Sequence, residues 1–316
     1  LFSPEPFVPL VRDPHLLTIL GNFWPRKLDF SAFPEHSQLY RTEPDVQVRV
    51  QSQRPAQPIA ELVMVHGLEG SGGAGYMRTL AHAALTRNIA THRFNMRTCG
   101  GTAHLCPTLY HAGLTSDLLF FLRQLQSPLP VFLAGFSLGG NVVLKLAGQL
   151  GESARSLLAG VCAISTPIDL AASVQRISQP DNRLYERRFV ARMRERLLST
   201  GRYTPAQLSK LKSLYEIDDR ITAPSFDFGN ADRYYATQSS NRFLSQIRVP
   251  ALLIQAEDDS FIPFRIFHHP AFSTNPCLRL ISTRHGGHLG FLSRSAPRFW
   301  VDGVISGWIL SCVKTM

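Results

Sequence analysis

The sequence has no apolar run reaching the roughly 18 residues that a membrane-crossing helix needs, so a single-helix span is excluded. It has no C-x-x-C pair, and Cys99, Cys106, Cys162, Cys277 and Cys312 are odd in number, which argues against a disulfide framework and against a zinc site. A reducing, cytoplasmic compartment is the expectation. Histidines and cysteines at ligand spacing are missing, so neither a metal nor another cofactor is expected. The first residues, with Pro4, Pro6, Pro9 and Asp13, lack the charged-then-apolar shape of a signal peptide. The chain starts at Leu1 rather than methionine, which leaves room for a trimmed leader or anchor upstream. Internal repeats, low-complexity tracts and groove-reading or base-stacking modules are absent, so the net charge of +10 does not point to nucleic acid.

That charge comes largely from arginine, including the cluster Arg183, Arg187, Arg188, Arg192, Arg194 and Arg196. The plain reading is a solvated helix face; the functional one is peripheral attraction to an anionic membrane or an acidic substrate. With 316 residues and 44% apolar content, the chain can bury one large core, and a single enlarged domain is favoured.

Alternation at Val46, Val48 and Val50 predicts a half-buried strand, and Leu62 to Val65 a fully buried one ending at His66-Gly67. Helical spacing follows at Met77, Leu80, Ala84 and Leu85. A short segment from Ile89 to Phe94 comes next, then a helix carrying Leu114, Leu118, Leu119, Leu122 and Leu125, then a strand from Val131 to Ala134. Ala159 to Ile164, Ala251 to Gln255 and Leu278 to Ser282 read as further strands, and Phe299, Trp300, Val304, Trp308 and Ile309 as one face of a closing helix. This alternation predicts an α/β fold with a mostly parallel central sheet flanked by helices. Between residues 168 and 246 the rhythm breaks into basic helical segments with Tyr185 and Tyr234-Tyr235 and no convincing strand. The expectation is a core domain made of residues 1–167 and 247–316, roofed by an inserted helical lid at 168–246, because such sheets bind ligands above the carboxyl ends of their strands.

The most informative stretch is Gly135-Phe136-Ser137-Leu138-Gly139-Gly140-Asn141, between the strand at Val131 and the helical run Val142 to Leu150. It is a G-x-S-x-G elbow in strand-turn-helix context, where glycines remove side chains that would collide and the serine hydroxyl is pushed out above the sheet. A serine needs a base to take its proton and an acid to orient the base, so an Asp and a His are expected downstream. Glu257-Asp258-Asp259-Ser260-Phe261-Ile262-Pro263 and His285-Gly286-Gly287-His288-Leu289-Gly290-Phe291 each follow a strand, giving the Ser, Asp, His order of α/β-hydrolases. Asp259, four residues before Pro263, is favoured as the acid, with Asp258 as rival and expected turn cap. His288 is favoured as the base, flanked by Gly287 and Gly290 that free its ring to swing, while His285 is expected on the loop surface. The backbone N–H groups of Leu138 and Leu68 are the expected oxyanion donors, and His66 a structural hydrogen-bonding group.

A competing motif, Gly70-Ser71-Gly72-Gly73-Ala74-Gly75, satisfies G-x-G-x-x-G after a strand and implies a dinucleotide site, with Arg93 as partner for a 2′-phosphate of NADP. Nothing supplies the hydride chemistry that reading needs. A hydrolase fold that binds without catalysing is the remaining alternative.

Together these residues resemble the YheT-like group of α/β-hydrolases, also called AB-hydrolase family 4, of esterases and lipid-acting relatives. The resemblance runs through Pro14-His15-Leu16-Leu17-Thr18-Ile19, His66-Gly67-Leu68-Glu69-Gly70-Ser71, Tyr110-His111-Ala112-Gly113 with Asp117, the elbow, the Asp258-Asp259 loop and the His285 to Phe291 loop. It extends to Asp219-Arg220-Ile221-Thr222-Ala223-Pro224 and Ala231-Asp232-Arg233-Tyr234-Tyr235 in the inserted region. It implies the charge-relay positions Ser137, Asp259 and His288, the same residues that spacing selects. Ser260 departs from the family's proline, and Thr98-Cys99-Gly100-Gly101 from its Arg-Gly-Cys-Ser pattern. The expected activity is cleavage of small, lipid-like carboxylic esters, short to medium in the acyl chain; acyl transfer to an alcohol is the alternative that sequence does not separate.

Overall fold

A strand buried on both faces must feed two cores. β3 (Ala60–Val65) does so, sending Val63 and Val65 to one and Leu62 and Met64 to the other. β5 (Val131–Phe136) splits the same way, with Leu133 on the first side and Phe132, Ala134 and Phe136 on the second. The computed structural model describes residues 2–316; Leu1, on which the expectation of an upstream segment rests, lies outside the described residues.

With β1 (His36–Glu43), β2 (Val46–Gln53), β4 (Ile89–Phe94), β6 (Gly160–Ile164), β7 (Ala251–Ala256) and β8 (Leu278–Thr283), these strands make one eight-stranded sheet in the order β1-β2-β4-β3-β5-β6-β7-β8. The β1–β2 and β2–β4 pairs are antiparallel and all others parallel. The helices α2 (Gly75–Leu85) and Trp300–Val313 pack on the second face, while α3 (Ser116–Leu125) and α4 (Leu138–Leu150) pack on the first. The strands expected from periodicity therefore form in place, and the sheet is mostly parallel as expected.

Two elements escape the periodicity reading. β1 is an edge strand with mostly exposed polar residues, so no apolar alternation marks it. α1 (Pro14–Phe23) lies in a proline-dotted stretch, but its start is chemically marked: Asp13 caps it by accepting the Leu16 N–H at 2.8 Å, and Pro14 occupies the first turn. Between β6 and β7 the chain is mostly helical, with α5 (Leu170–Ile177), α6 (Arg183–Ser199) and several shorter helical pieces joined by loops. No strand forms there among the described residues.

The closing helix buries one carboxyl. Burial pushes Asp302 up from 3.8 to about 7, against the pull of nearby Arg26. The folded state then holds a proton that the unfolded chain releases near 3.8, so stability is lost as pH rises through that window. Asp302→Asn removes this loss. In urea unfolding its advantage over the parent should grow between about pH 4 and about pH 7 and then level off; a gap flat across that range would show a solvated carboxylate.

Candidate active site

Ser137 sits between β5 and α4 with φ 51° and ψ −121°, a backbone that L residues rarely adopt. A Cβ on Gly135 would lie 2.3 Å from the Gly139 carbonyl oxygen, and one on Gly139 2.4 Å from that of Val65. The glycines thus allow α4 to start directly against the strand ends. The Ser137 N–H donates to the Ile164 carbonyl at 2.8 Å, and its side chain opens toward the inserted helices.

The three expected residues come together. Ser137 Oγ is 3.0 Å from His288 Nε2, and His288 Nδ1 is 3.0 and 3.1 Å from the two Asp259 oxygens. In the matching tautomer Nδ1–H donates to Asp259 and Nε2 accepts from the serine hydroxyl. Asp259 also accepts from the Phe261 N–H at 2.8 Å, the Ile262 N–H at 3.1 Å and the Gln255 amide at 3.1 Å. Its carboxylate is buried and fixed from several sides.

The turn-capping role expected for Asp258 needs correction. Asp259 itself closes the turn through Phe261 and Ile262, while Asp258 reaches across to the histidine loop, accepting the Gly287 N–H at 2.9 Å and pairing with His285 Nδ1 at 3.1 Å. His285 is partly buried by that pairing, so it is an anchor of the loop rather than a free surface group. The reason given for the neighbouring glycines also changes. A Cβ on Gly287 would lie 2.3 Å from the Pro14 carbonyl oxygen, and one on Gly290 2.8 Å from the Leu17 backbone, so they admit α1 rather than free the ring. Thr18 Oγ1 accepts the His288 N–H at 2.8 Å, Ser165 Oγ the Leu289 N–H at 3.2 Å, and the Phe261 ring lies 4.5 Å from the imidazole. Thr18, Ser165 and Gln255 are not among the site residues expected from sequence; the motif at Pro14 to Ile19 contains Thr18 but does not tie it to His288.

On the opposite side, the Gly67 N–H donates to the Tyr76 hydroxyl at 3.0 Å and the Glu69 N–H to the Tyr110 hydroxyl at 2.9 Å. The Leu68 N–H between them and the Leu138 N–H at the start of α4 make no hydrogen bond among the described residues. Both residues line the cavity over Ser137. His66 is structural, as expected: Nδ1 bonds the Gly67 carbonyl at 2.8 Å, Nε2 accepts the Met96 N–H at 3.2 Å, and burial lowers its pKa to about 4.

The glycine-rich segment is no phosphate cradle of the dinucleotide type. Arg93 is buried, donates to the Gly72 carbonyl at 2.8 Å and pairs with Glu35, so its guanidinium fastens this loop. A Cβ on Gly72 would lie 2.5 Å from the Gln51 side chain, one on Gly70 2.9 Å from the Tyr76 hydroxyl and one on Gly75 2.7 Å from the Arg26 guanidinium, so side chains press on these three glycines.

Nor is the arginine cluster uniformly solvated. Arg183, Arg187, Arg188 and Arg192 are exposed, but Arg194 turns onto the Leu211 carbonyl, and Arg196 is buried against Glu69 at 2.7 Å. Arg196 further donates to Thr98 Oγ1 at 3.1 Å and lies 4.6 Å from the centre of the Tyr110 ring, whose hydroxyl donates to Glu69. This network joins α6 to the Leu68 loop. A cavity runs from Ser137 beneath α5 and α6, lined by Leu170, Ile177, Met193, Leu214 and Phe261 among others.

A serine at a strand-to-helix turn, an imidazole held against it and two N–H groups without partners among the described residues thus stand above a mostly parallel sheet covered on both faces. The profile of the Alpha/beta hydrolase family matches residues 62–302, and the chain belongs to that family. It is 30% identical to the Escherichia coli (strain K12) protein named "Putative esterase YheT", over 99% of this chain and 95% of that one, as the motif resemblance implied. It is 29% identical to the monoacylglycerol lipase of Saccharomyces cerevisiae over 76% of this chain, but spans only 56% of that protein. The Pyrococcus furiosus esterase Pf2001 shares the fold, with a TM-score of 0.59 at 16% identity over 98% of this chain and 99% of that one.

The Glu69–Arg196 pair yields a stability test. Arg196→Ala leaves a buried carboxylate uncompensated and should cost about 3–5 kcal/mol in chemical denaturation, whereas Glu69→Gln combined with Arg196→Met should cost much less. Equal losses in the two proteins would mean that the pair is not electrostatically coupled.

Proposed function

We propose that this chain is a serine hydrolase that cleaves carboxylic esters through Ser137, His288 and Asp259. The observation that carries the reading is the unbroken run of contacts, 3.0 Å from Ser137 Oγ to His288 Nε2 and 3.0 Å from His288 Nδ1 to Asp259. Ser137 Oγ attacks the ester carbonyl while His288 takes its proton, and Asp259 holds the resulting imidazolium. The N–H groups of Leu68 and Leu138 stabilise the oxyanion, each worth on the order of 3 kcal/mol in the transition state. The tetrahedral intermediate then collapses, the alcohol leaves with the proton from His288, and water hydrolyses the acyl-enzyme to the carboxylic acid.

The helical insertion, residues 168–246, acts as a lid that excludes water and shapes the acyl site. Support comes from the apolar lining of the cavity beneath it and from its charged groups being matched or subdued. Arg196 is paired with Glu69, and burial raises Asp218 from 3.8 to about 6. The mainly apolar lining of this cavity suits the acyl chain of an ester, which we take to be short to medium in length. The names of the curated relatives, a monoacylglycerol lipase among them, fit a lipid-like ester as substrate. The five free cysteines fit a cytoplasmic setting.

A fluorophosphonate probe should label the parent protein and not Ser137→Ala, which should stay folded and lose about 10⁴-fold or more in kcat/KM on nitrophenyl esters. Across a chain-length series, rates should peak at short-to-medium acyl groups. Asp259→Asn should abolish most of kcat, while Asp258→Asn should cost less, acting only through the loop that carries His288. Parent-level activity in Ser137→Ala would end this reading, and ester synthesis outrunning hydrolysis in added alcohol would replace hydrolysis by transfer.

A further inference from the structure

Soluble proteins rarely leave an apolar stripe on a helix beside an open groove. α1 does: Leu16, Ile19 and Phe23 are 50%, 44% and 64% exposed, and their spacing puts them on one side. The other side carries the buried Leu17 and Gly21 and packs on the His288 loop, where a Cβ on Gly21 would lie 2.8 Å from the Gly290 backbone. The outward stripe is therefore not the face that builds the site.

The stripe continues onto the start of α6. His15 stacks on Tyr185 with ring centres 5.7 Å apart, and Arg188 lies 5.7 Å from the centre of the Phe23 ring. Leu184, on the same turn, is 78% exposed. Around it stand Arg183, Arg187, Arg188 and Arg192, all exposed and without ion pairs among the described residues. Between the two helices opens a groove that reaches Ser137 and His288. Ile19, Phe23, Arg188 and Arg192 stand in its walls. The acid in that lining, Glu69, is already matched by Arg196, so the groove is left with positive charge.

We propose that the rim formed by α1 and the first half of α6 is a docking surface for an anionic lipid surface, from which ester substrate passes along the groove to Ser137. The inference rests on the esterase reading and deepens it by naming where the substrate comes from. Apolar side chains flanked by unpaired arginines are what a lipid headgroup boundary accepts: the rings and aliphatic groups insert among acyl chains while guanidinium groups stay with the phosphates. No helix of the described residues is long and apolar enough to cross the bilayer, so the contact is peripheral. Because α1 also bonds the His288 N–H through Thr18, the helix that meets the lipid is the one that steadies the base.

Co-sedimentation with phosphatidylglycerol-containing vesicles and with pure phosphatidylcholine vesicles tests this, using both the parent and Ser137→Ala so that binding is read apart from turnover. Both proteins should sediment with the anionic vesicles, weakly or not at all with the neutral ones, and less as salt rises. Leu16→Ser with Leu184→Ser should weaken vesicle binding about tenfold or more, and so should Arg187→Glu with Arg188→Glu. In both, the ratio of activity on a vesicle-embedded ester to that on a monomeric ester should fall. Failure of the parent to bind anionic vesicles, or undiminished binding by either double variant, overturns the proposal. So does a loss confined to monomeric phosphate-bearing esters, which would make the arginines readers of a substrate group instead. A parent that binds vesicles as expected but hydrolyses no ester would overturn the esterase reading and the substrate route with it, leaving only the docking surface.

Discussion

The site depends on one backbone constraint, the positive-φ conformation of Ser137. A non-glycine residue at φ 51° costs on the order of 1–3 kcal/mol and persists only where its surroundings impose it. Here the imposition is backbone pressed on backbone: Gly135 against Gly139, and Gly139 against the ends of β3. Any Cβ at these glycines would lift α4 from the sheet. Since α4 begins at Leu138, the lift would displace a proposed oxyanion donor together with the hydroxyl. The orientation of the Ser137 hydroxyl, the position of the Leu138 N–H and the docking of α4 are therefore a single geometric condition.

The same device recurs on the histidine side with a different partner. Gly287 and Gly290 have no room for side chains because the α1 backbone lies against them, and Thr18 on that helix accepts the His288 N–H at 2.8 Å. The adjacent carboxylates divide the remaining work. Asp259 meets the imidazole, while Asp258 ties the Gly287 N–H and His285 and so fixes the loop path. Two negative charges side by side are tolerable because each is matched by its own set of donors.

Local pattern carried far in this chain, and its reach ended where contacts became long-range or polar. The buried strands were legible because each commits alternate side chains to opposite cores, and the elbow because its glycines are close in sequence. β1 was not, since an edge strand facing water has no apolar period to display. The loop histidines and aspartates could be located but not fully assigned. Which oxygen of Asp258 or Asp259 meets which donor depends on strand ends brought together by β7 and β8, and nothing in the spacing encodes it. The motif at Pro14 to Ile19 was visible, but its bearing on His288 spans 270 residues of chain. Arg196 was hidden among five similar arginines; only its meeting with Glu69, 127 residues away, sets it apart.

That meeting also bears on how α6 is placed. Met193 and Leu197 bury one side of the helix, but apolar contact has no direction and would tolerate a shift along the axis. A buried ion pair adds little net stability once desolvation is counted, yet it is intolerant of register error, because displacement by one turn strands both charges. Arg196, with the Glu69 carboxylate, the Thr98 hydroxyl and the face of Tyr110 around it, therefore selects one register for α6. In that register Met193 closes the cavity over Ser137, and Arg188 and Arg192 face the groove beside α1. One inward-turned arginine thus determines which way the exposed arginines of its own helix point.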